Sequence, residues 1–207
     1  MKYSLPSGAD PDAELMLRLK HGEDLMLNEL MTRWQQPLVA FIYRYVGHQA
    51  DALDLAQETF VRVYQARARY TARAKFASWL FAIAANLCRN YMRRWARGAG
   101  TATESSDPNC ADISQGILSS DDSPDLAVIK SELIASVKEA ISKLPHDLKT
   151  AILLYQYEDL SYEEISSVLG CSIKAVEMKL YRARKLLREL LWRADLRDQD
   201  ARVEERS

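Results

Sequence analysis

Cysteine, histidine, glycine and proline are all scarce in this chain of 207 residues, which holds three Cys, three His, seven Gly and six Pro. Cys88, Cys110 and Cys171 stand far apart with no Cys-x-x-Cys spacing, so neither a disulfide framework nor a zinc site is indicated and the thiols read as buried or free. His21, His48 and His146 are equally isolated, and no nucleophile stands beside a base at a recognisable spacing. The chain is therefore not expected to be an enzyme, and no cofactor, metal or small-molecule substrate is expected. No apolar run approaches the roughly 20 residues that cross a bilayer, and the start Met1-Lys2-Tyr3-Ser4 leads into no signal-peptide core. Membrane insertion is not expected, and the cytoplasm is the expected compartment. With few helix breakers, long helices are expected, and a net charge of -1 with 28% charged and 48% hydrophobic residues fits one or two compact domains.

A further absence is local. From Phe60 to Gly100 there is no Asp or Glu, yet nine cations occur: Arg62, Arg67, Arg69, Arg73, Lys75, Arg89, Arg93, Arg94 and Arg97. Eight aromatics are interleaved with them, namely Phe60, Tyr64, Tyr70, Phe76, Trp79, Phe81, Tyr91 and Trp95. Cations neutralise phosphates and rings stack on unpaired bases, so the segment reads as a nucleic-acid surface. A solvated basic helix face with its aromatics in the core is the other reading of the same run.

Apolar residues recur at helical spacing from Ala13 to Val46, with an interruption near His21-Gly22 and an end at Gly47, which predicts two helices. A third is expected from Asp51 to about Arg69, burying Leu55, Thr59, Val63 and Tyr64 or their neighbours, and a fourth from about Phe76 to Arg97. Trp79, Leu80 and Ile83 are expected in the core. These make an all-helical first domain, 12–97. The stretch 98–125 is rich in Gly, Ser, Thr, Asp and Pro, with six acids and no base, and reads as a flexible acidic linker. A second domain, 126–193, and a charged tail, 194–207, follow. The expected fold class is all-α, two helical domains joined by that linker.

The second domain carries the more specific pattern. Ser161 followed by Glu164 has the spacing of a capping box, and Ile165, Val168 and Leu169 give a short helix its apolar face. Gly170-Cys171-Ser172 makes a turn that favours a left-handed residue. A longer helix then buries Ile173, Val176, Leu180, Ala183, Leu187 and Leu190 along one stripe and shows a basic face. A short helix, a Gly turn and a basic helix make a helix-turn-helix, whose second helix enters the major groove, although any helical hairpin can turn at a glycine. Glu163 and Glu164 are explained by the positive end of their helix rather than by acid-base chemistry.

Four segments in order, DLAQETF at Asp54 to Phe60, FASWLFAIAANLCRNYMRR at Phe76 to Arg94, LPHDLKTAILL at Leu144 to Leu154 and LSYEEISSVLGCSIKAVEMKLYRARKLL at Leu160 to Leu187, resemble the extracytoplasmic-function (ECF) sigma factors, specificity subunits of bacterial RNA polymerase. The resemblance implies that the first domain is sigma region 2 and the second sigma region 4. It implies that Asp51, Asp54, Gln57 and Glu58 bind the beta-prime clamp helices of the polymerase core, with the beta flap as a further core contact. It implies that Arg69, Tyr70, Arg73, Lys75, Phe76, Asn86, Arg89, Asn90 and Arg93 read and melt promoter minus-10 DNA, with the loop Tyr70 to Lys75 forming a pocket for an extruded base. It implies that Ser172, Lys174, Glu177, Met178, Lys179, Tyr181, Arg182, Arg184 and Lys185 read the minus-35 duplex, and that an anti-sigma factor holds the protein in check. Two departures from the family pattern stand out: Glu177 where many relatives carry a cation, and a loop Thr71 to Lys75 without the Gly often found there. A two-domain helix-turn-helix regulator that binds duplex without polymerase is the alternative reading, and an enzyme acting on nucleic acid a more distant one.

Overall fold

The computed structural model describes residues 10–99 and 124–204, with side chains described over 10–98 and 133–194. Most of the expected linker, 100–123, and Cys110 with it, lies outside the described residues. Within them the chain is helical, with no strand.

Helix α1 (Pro11–Lys20) starts where Asp10 accepts a bond from the Asp12 N–H at 3.0 Å and Pro11 supplies a pre-set φ in the first turn. It ends at His21, ahead of Gly22. Helix α2 (Leu25–Val46) stops at Gly47, left-handed with φ 84°, whose N–H bonds back to the Tyr43 carbonyl at 2.8 Å. Helix α3 (Gln49–Ala66) tightens into a 3-10 turn over Arg67–Arg69. Helix α4 (Phe76–Arg94) passes into a π turn over Trp95–Ala99. These four helices close around Leu19, Leu30, Leu38, Phe41, Ile42, Val63, Leu80 and Phe81, all buried. Phe81 meets Phe41 and Trp34 edge to face, with centroids 5.1 and 5.9 Å away, contacts worth about 0.5–1.5 kcal/mol each beyond area burial. Of the residues expected inside α3, Thr59 and Val63 are buried while Leu55 and Tyr64 pack at the margin.

The second half comprises α5 (Pro124–Ser142), α6 (His146–Tyr157), α7 (Tyr162–Leu169) and α8 (Ile173–Glu204). Ser161 completes the capping box: its hydroxyl accepts from the Glu164 N–H at 3.2 Å, and the Glu164 carboxylate accepts from the Ser161 N–H at 2.7 Å. Gly170, with φ 61°, makes the left-handed turn into α8. Leu153, Leu154, Ile165, Val176, Leu180 and Ala183 form the core of this half. Helix α8 continues past the expected end near Arg193 as far as Glu204, because the tail is charged but composed of good helix formers.

The two halves touch. Helices α6 and α7 lie against α2 and α4, and one apolar cluster runs through both.

Candidate nucleic-acid interface

Helix α4 packs its Phe76, Leu80, Phe81, Ala84, Ala85, Leu87 and Cys88 side chains inward, which leaves Asn86, Asn90 and Arg93 exposed and Arg89 partly so on the other side of the cylinder. Asn86, Arg89 or Asn90, and Arg93 succeed one another by threes and fours, so they form one surface strip. Arg69, Arg73 and Lys75 on the preceding turn and loop are exposed as well.

Two residues expected on this surface are not there. Tyr70 is 2% exposed and Phe76 fully buried, their rings packed on Trp79 at centroid distances of 5.0 and 6.1 Å. An aromatic ring gains more from burial in the bundle than from a solvent-facing position, and these two anchor the ends of the loop instead of offering it stacking faces. The correction extends to the whole interleaved set: Phe60 and Phe81 are also buried, Tyr64, Trp79 and Tyr91 are half-buried, and only Trp95 among the eight stands exposed. Amides and cations, rather than rings, are what this face presents. Cys88 is buried and its thiol is pushed up to about 12 by that burial, so it is an inert packing group.

On α8 the apolar stripe Val176, Leu180 and Ala183 is buried, and Ser172, Lys174, Glu177, Met178, Tyr181, Arg182, Arg184 and Lys185 are exposed, as a groove-reading helix requires. Ser172 also caps its helix, accepting from the Ala175 N–H at 3.3 Å. The Arg184 guanidinium lies 5.1 Å from the Tyr155 ring centroid. Lys179 differs from its neighbours: it is half-buried and paired with Asp147 at 2.8 Å.

The acidic face of α3 is less uniform than expected. Asp54 and Gln57 are exposed and Glu58 is paired with Arg62 at 2.7 Å, all on one side. Asp51 is turned toward α4, where it accepts the Tyr91 hydroxyl at 2.7 Å and pairs with His48 Nδ1 at 3.0 Å. Burial and that bond to Asp51 raise the Tyr91 hydroxyl to about 12.

These faces coincide with two family matches: Sigma-70 region 2 over residues 30–98 and Sigma-70, region 4 over residues 134–187. The RNA polymerase sigma-H factor of Pseudomonas aeruginosa is 31% identical over 184 residues, spanning 88% of this chain and 94% of that protein. The chain belongs to the sigma-70 family, as an ECF sigma factor. The ECF RNA polymerase sigma-E factor of Haemophilus influenzae is 32% identical, with 85% of this chain and 93% of that one covered. A solved structure of CnrH in complex with the cytosolic domain of CnrY superposes with a TM-score of 0.63 at 25% identity, covering 88% of this chain and 97% of that one. The sigma factor RpoE of Bartonella quintana, solved with the anti-sigma factor NepR, shares the fold at a TM-score of 0.57 and 24% identity, covering 79% and 95%.

In this sigma factor the region 2 and region 4 halves meet through groups that sequence reading missed. Lys75, on the loop before α4, pairs with Glu164 of α7 at 2.7 Å, and Arg89 of α4 pairs with Asp147 of α6 at 3.2 Å. Asp147 thus holds Arg89 and Lys179 together, and its carboxyl is lowered, chiefly by the bond from Lys179. Arg44 of α2 reaches Glu158 at 3.6 Å and lies 4.2 Å from the Tyr157 ring centroid. Lys149, 3% exposed, donates to the Ser142 carbonyl at 3.0 Å and to the Tyr45 carbonyl of region 2 at 3.4 Å. The Tyr45 hydroxyl meets His146 Nδ1, with the ring centroids 5.5 Å apart. Asp147 and Glu164 sit in first helical turns, where acids are already favoured by the helix dipole, so nothing local marked their second partner.

Proposed function

We propose that this sigma factor reads minus-35 duplex DNA with α8, opens and holds the minus-10 strand on the α4 strip and its loop, and hands the opened promoter to the polymerase, which performs the chemistry. The domain assignments follow: 12–97 as region 2, 98–125 as linker, 126–193 as region 4 and 194–207 as tail. Melting costs about 1.4 kcal/mol per base step, which contacts to the extruded single strand must offset. With the aromatics turned inward, that role falls to the Asn86 and Asn90 amides and to Arg69, Arg73, Lys75, Arg89 and Arg93. An Asn amide both donates to and accepts from a base edge. Asp54, Gln57 and Glu58 form the side of α3 offered to the polymerase clamp helices, with Asp51 acting behind them as a brace on Tyr91.

The observation behind this reading is that the contact between the halves uses cations of the expected minus-10 surface: Lys75 pairs with Glu164 and Arg89 with Asp147, and Asp147 also holds Lys179 of its own half. Promoter elements nearly two turns apart are separated by about 60 Å, far more than two halves in contact can span. The protein alone is therefore closed to promoters, and binding core polymerase in the cytoplasm draws the halves apart. The Bartonella quintana sigma factor was solved with the anti-sigma factor NepR and CnrH with the cytosolic domain of CnrY; an anti-sigma factor holding this chain closed is the corresponding control.

Run-off transcription with bacterial core polymerase on a promoter library tests this reading. Initiation should require the protein, and Asn86→Ala should lower it about tenfold or more at promoters selected by the wild type, the worth of one base-edge contact. Duplex binding without core-dependent initiation would instead mark a plain helix-turn-helix regulator.

A further inference from the structure

The loop between Tyr70 and Phe76 is held at both ends by the first helix. Lys20, at the last residue of α1, donates from its ammonium to the Tyr70 carbonyl at 2.8 Å. Asp10, just before α1, accepts from the Phe76 N–H at 2.6 Å through the oxygen that does not cap its own helix. Helix α4 has no cap from its own side chains, since Lys75 stands at the capping position and makes no such bond. Asp10 therefore caps two helices at once. Its own position is secured from α2: Asp12, the next helical acid, accepts the Arg33 guanidinium at 2.8 Å and the Trp34 indole N–H at 3.0 Å. Trp34 in turn meets Phe76 with ring centroids 6.1 Å apart.

Between these two points the loop residues Thr71 to Lys75 are exposed and carry no glycine. Their internal hydrogen bonding is sparse, an Arg73 N–H to the Thr71 carbonyl at 2.8 Å being the turn contact inside it. A short loop with little internal bonding takes its shape from where its ends are fixed. Both ends are fixed by charged groups of α1, a helix with no residue in the expected DNA or polymerase sets.

We propose that Lys20 and Asp10 are positioning residues for base selection, setting the span and entry angle of the minus-10 loop while touching no DNA. This rests on the reading of that loop as the minus-10 pocket. Loss of either bond lets the Tyr70 or Phe76 end shift and blurs the pocket, so the preferred base is selected less sharply while minus-35 reading and polymerase binding are untouched. Lys20→Arg keeps a donor and a charge at the same carbonyl and preserves selection.

The test is transcription by holoenzyme containing the full chain, on a promoter library randomised at both elements, comparing wild type, Lys20→Met, Lys20→Arg, Asp10→Ala and Asn86→Ala. Core affinity and melting temperature are measured on each. Lys20→Met and Asp10→Ala should reduce the ratio between best and worst base at the selected minus-10 position about tenfold, equivalent to one hydrogen-bonded base contact. Lys20→Arg should retain at least half of the wild-type ratio on a logarithmic scale, and minus-35 preferences should not move in any of them. A uniform loss of transcription with the minus-10 ratio unchanged, or a melting temperature drop that Lys20→Met and Asp10→Ala share without any change in preference, would overturn the proposal. If Asn86→Ala shifts the minus-10 preference and Lys20→Met does not, the clamp is wrong and the loop reading stands. If wild type shows no minus-10 preference, both fall together.

Discussion

At the residue scale, two titratable groups at the contact between the halves work against each other. Burial raises the Glu158 carboxyl from 4.5 to about 7, Asp159 adds to this and Arg44 opposes it. The folded protein therefore binds more protons than the unfolded chain between about pH 4.5 and 7, and this group's effect on stability worsens as pH rises through that window. His146 is the reverse: burial first, then Arg89, Lys149 and Lys179, lower it from 6.5 to about 4, with Asp147 opposing. The unfolded chain binds more protons between about pH 4 and 6.5, so this group's effect improves as pH rises. The two slopes offset each other where the windows overlap. Glu158→Gln should unmask a melting temperature that rises relative to wild type from pH 4.5 to 7, and His146→Gln one that falls relative to wild type from pH 4 to 6.5. After solvent screening each is worth about 1–2 kcal/mol, visible in melting curves taken across pH. Parallel curves for wild type and both variants would show that neither group titrates within its window.

At the scale of single elements, α7 and its turn are the most sharply specified piece. Ser161→Ala should cost about 1 kcal/mol by loss of the cap. At Gly170 nothing lies within 4 Å of an added Cβ, so the cost of a side chain there is backbone strain alone. Gly170→Val should cost about 1–2 kcal/mol and Gly170→Asn distinctly less, because Asn tolerates the left-handed region. Thermal melting of the three variants gives that order, and equal costs for Val and Asn would place the penalty elsewhere. These features were legible in the sequence because caps and left-handed turns are local: Ser161, Glu164, Gly47 and Gly170 announce themselves within a few residues. The surface strip Asn86, Arg89, Asn90 and Arg93 was legible from helical spacing for the same reason. Tyr70 and Phe76 were misplaced because a basic run interleaved with aromatics reads alike whether the rings face out or in. The spacing Phe76, Leu80, Ala84, Leu87 and Cys88 held the answer for Phe76, since it continues one apolar stripe. Asp10, Lys20, Asp147 and Glu164 could not be read as contacts at all: each partner lies far away in sequence, and each acid already has a sufficient local reason to be where it is.

At the scale of the whole molecule, a near-neutral chain hides a division of charge between its halves, with region 2 cations facing region 4 acids. Lys75, Arg89 and Asp147 are solvated in the pairs Lys75 with Glu164 and Arg89 with Asp147, while Glu164 is mostly covered, and pairs open to solvent contribute about 0.2–1 kcal/mol each. These pairs add to the apolar cluster that the halves share, so a polymerase that draws the halves apart must offset both. Glu164→Gln is informative because glutamine still serves in a capping box while losing its charge toward Lys75. Combined with Asp147→Asn, it should shift the balance toward the open form by about 0.4–2 kcal/mol and raise affinity for core polymerase about two- to thirtyfold.

The most direct measurement is the distance between spin labels at Gln35 of α2 and Glu189 of α8, both exposed, in a chain whose native cysteines have been replaced. It would be taken on the protein alone, on the Glu164→Gln, Asp147→Asn variant, and on wild type bound to core polymerase and promoter. The protein alone should show a single narrow distance, the variant a partial population of longer distances, and the complex full replacement by a longer distance, in keeping with elements about 60 Å apart. A broad distribution already present in the protein alone, or its distance surviving unchanged in the complex, would contradict the closed-to-open change.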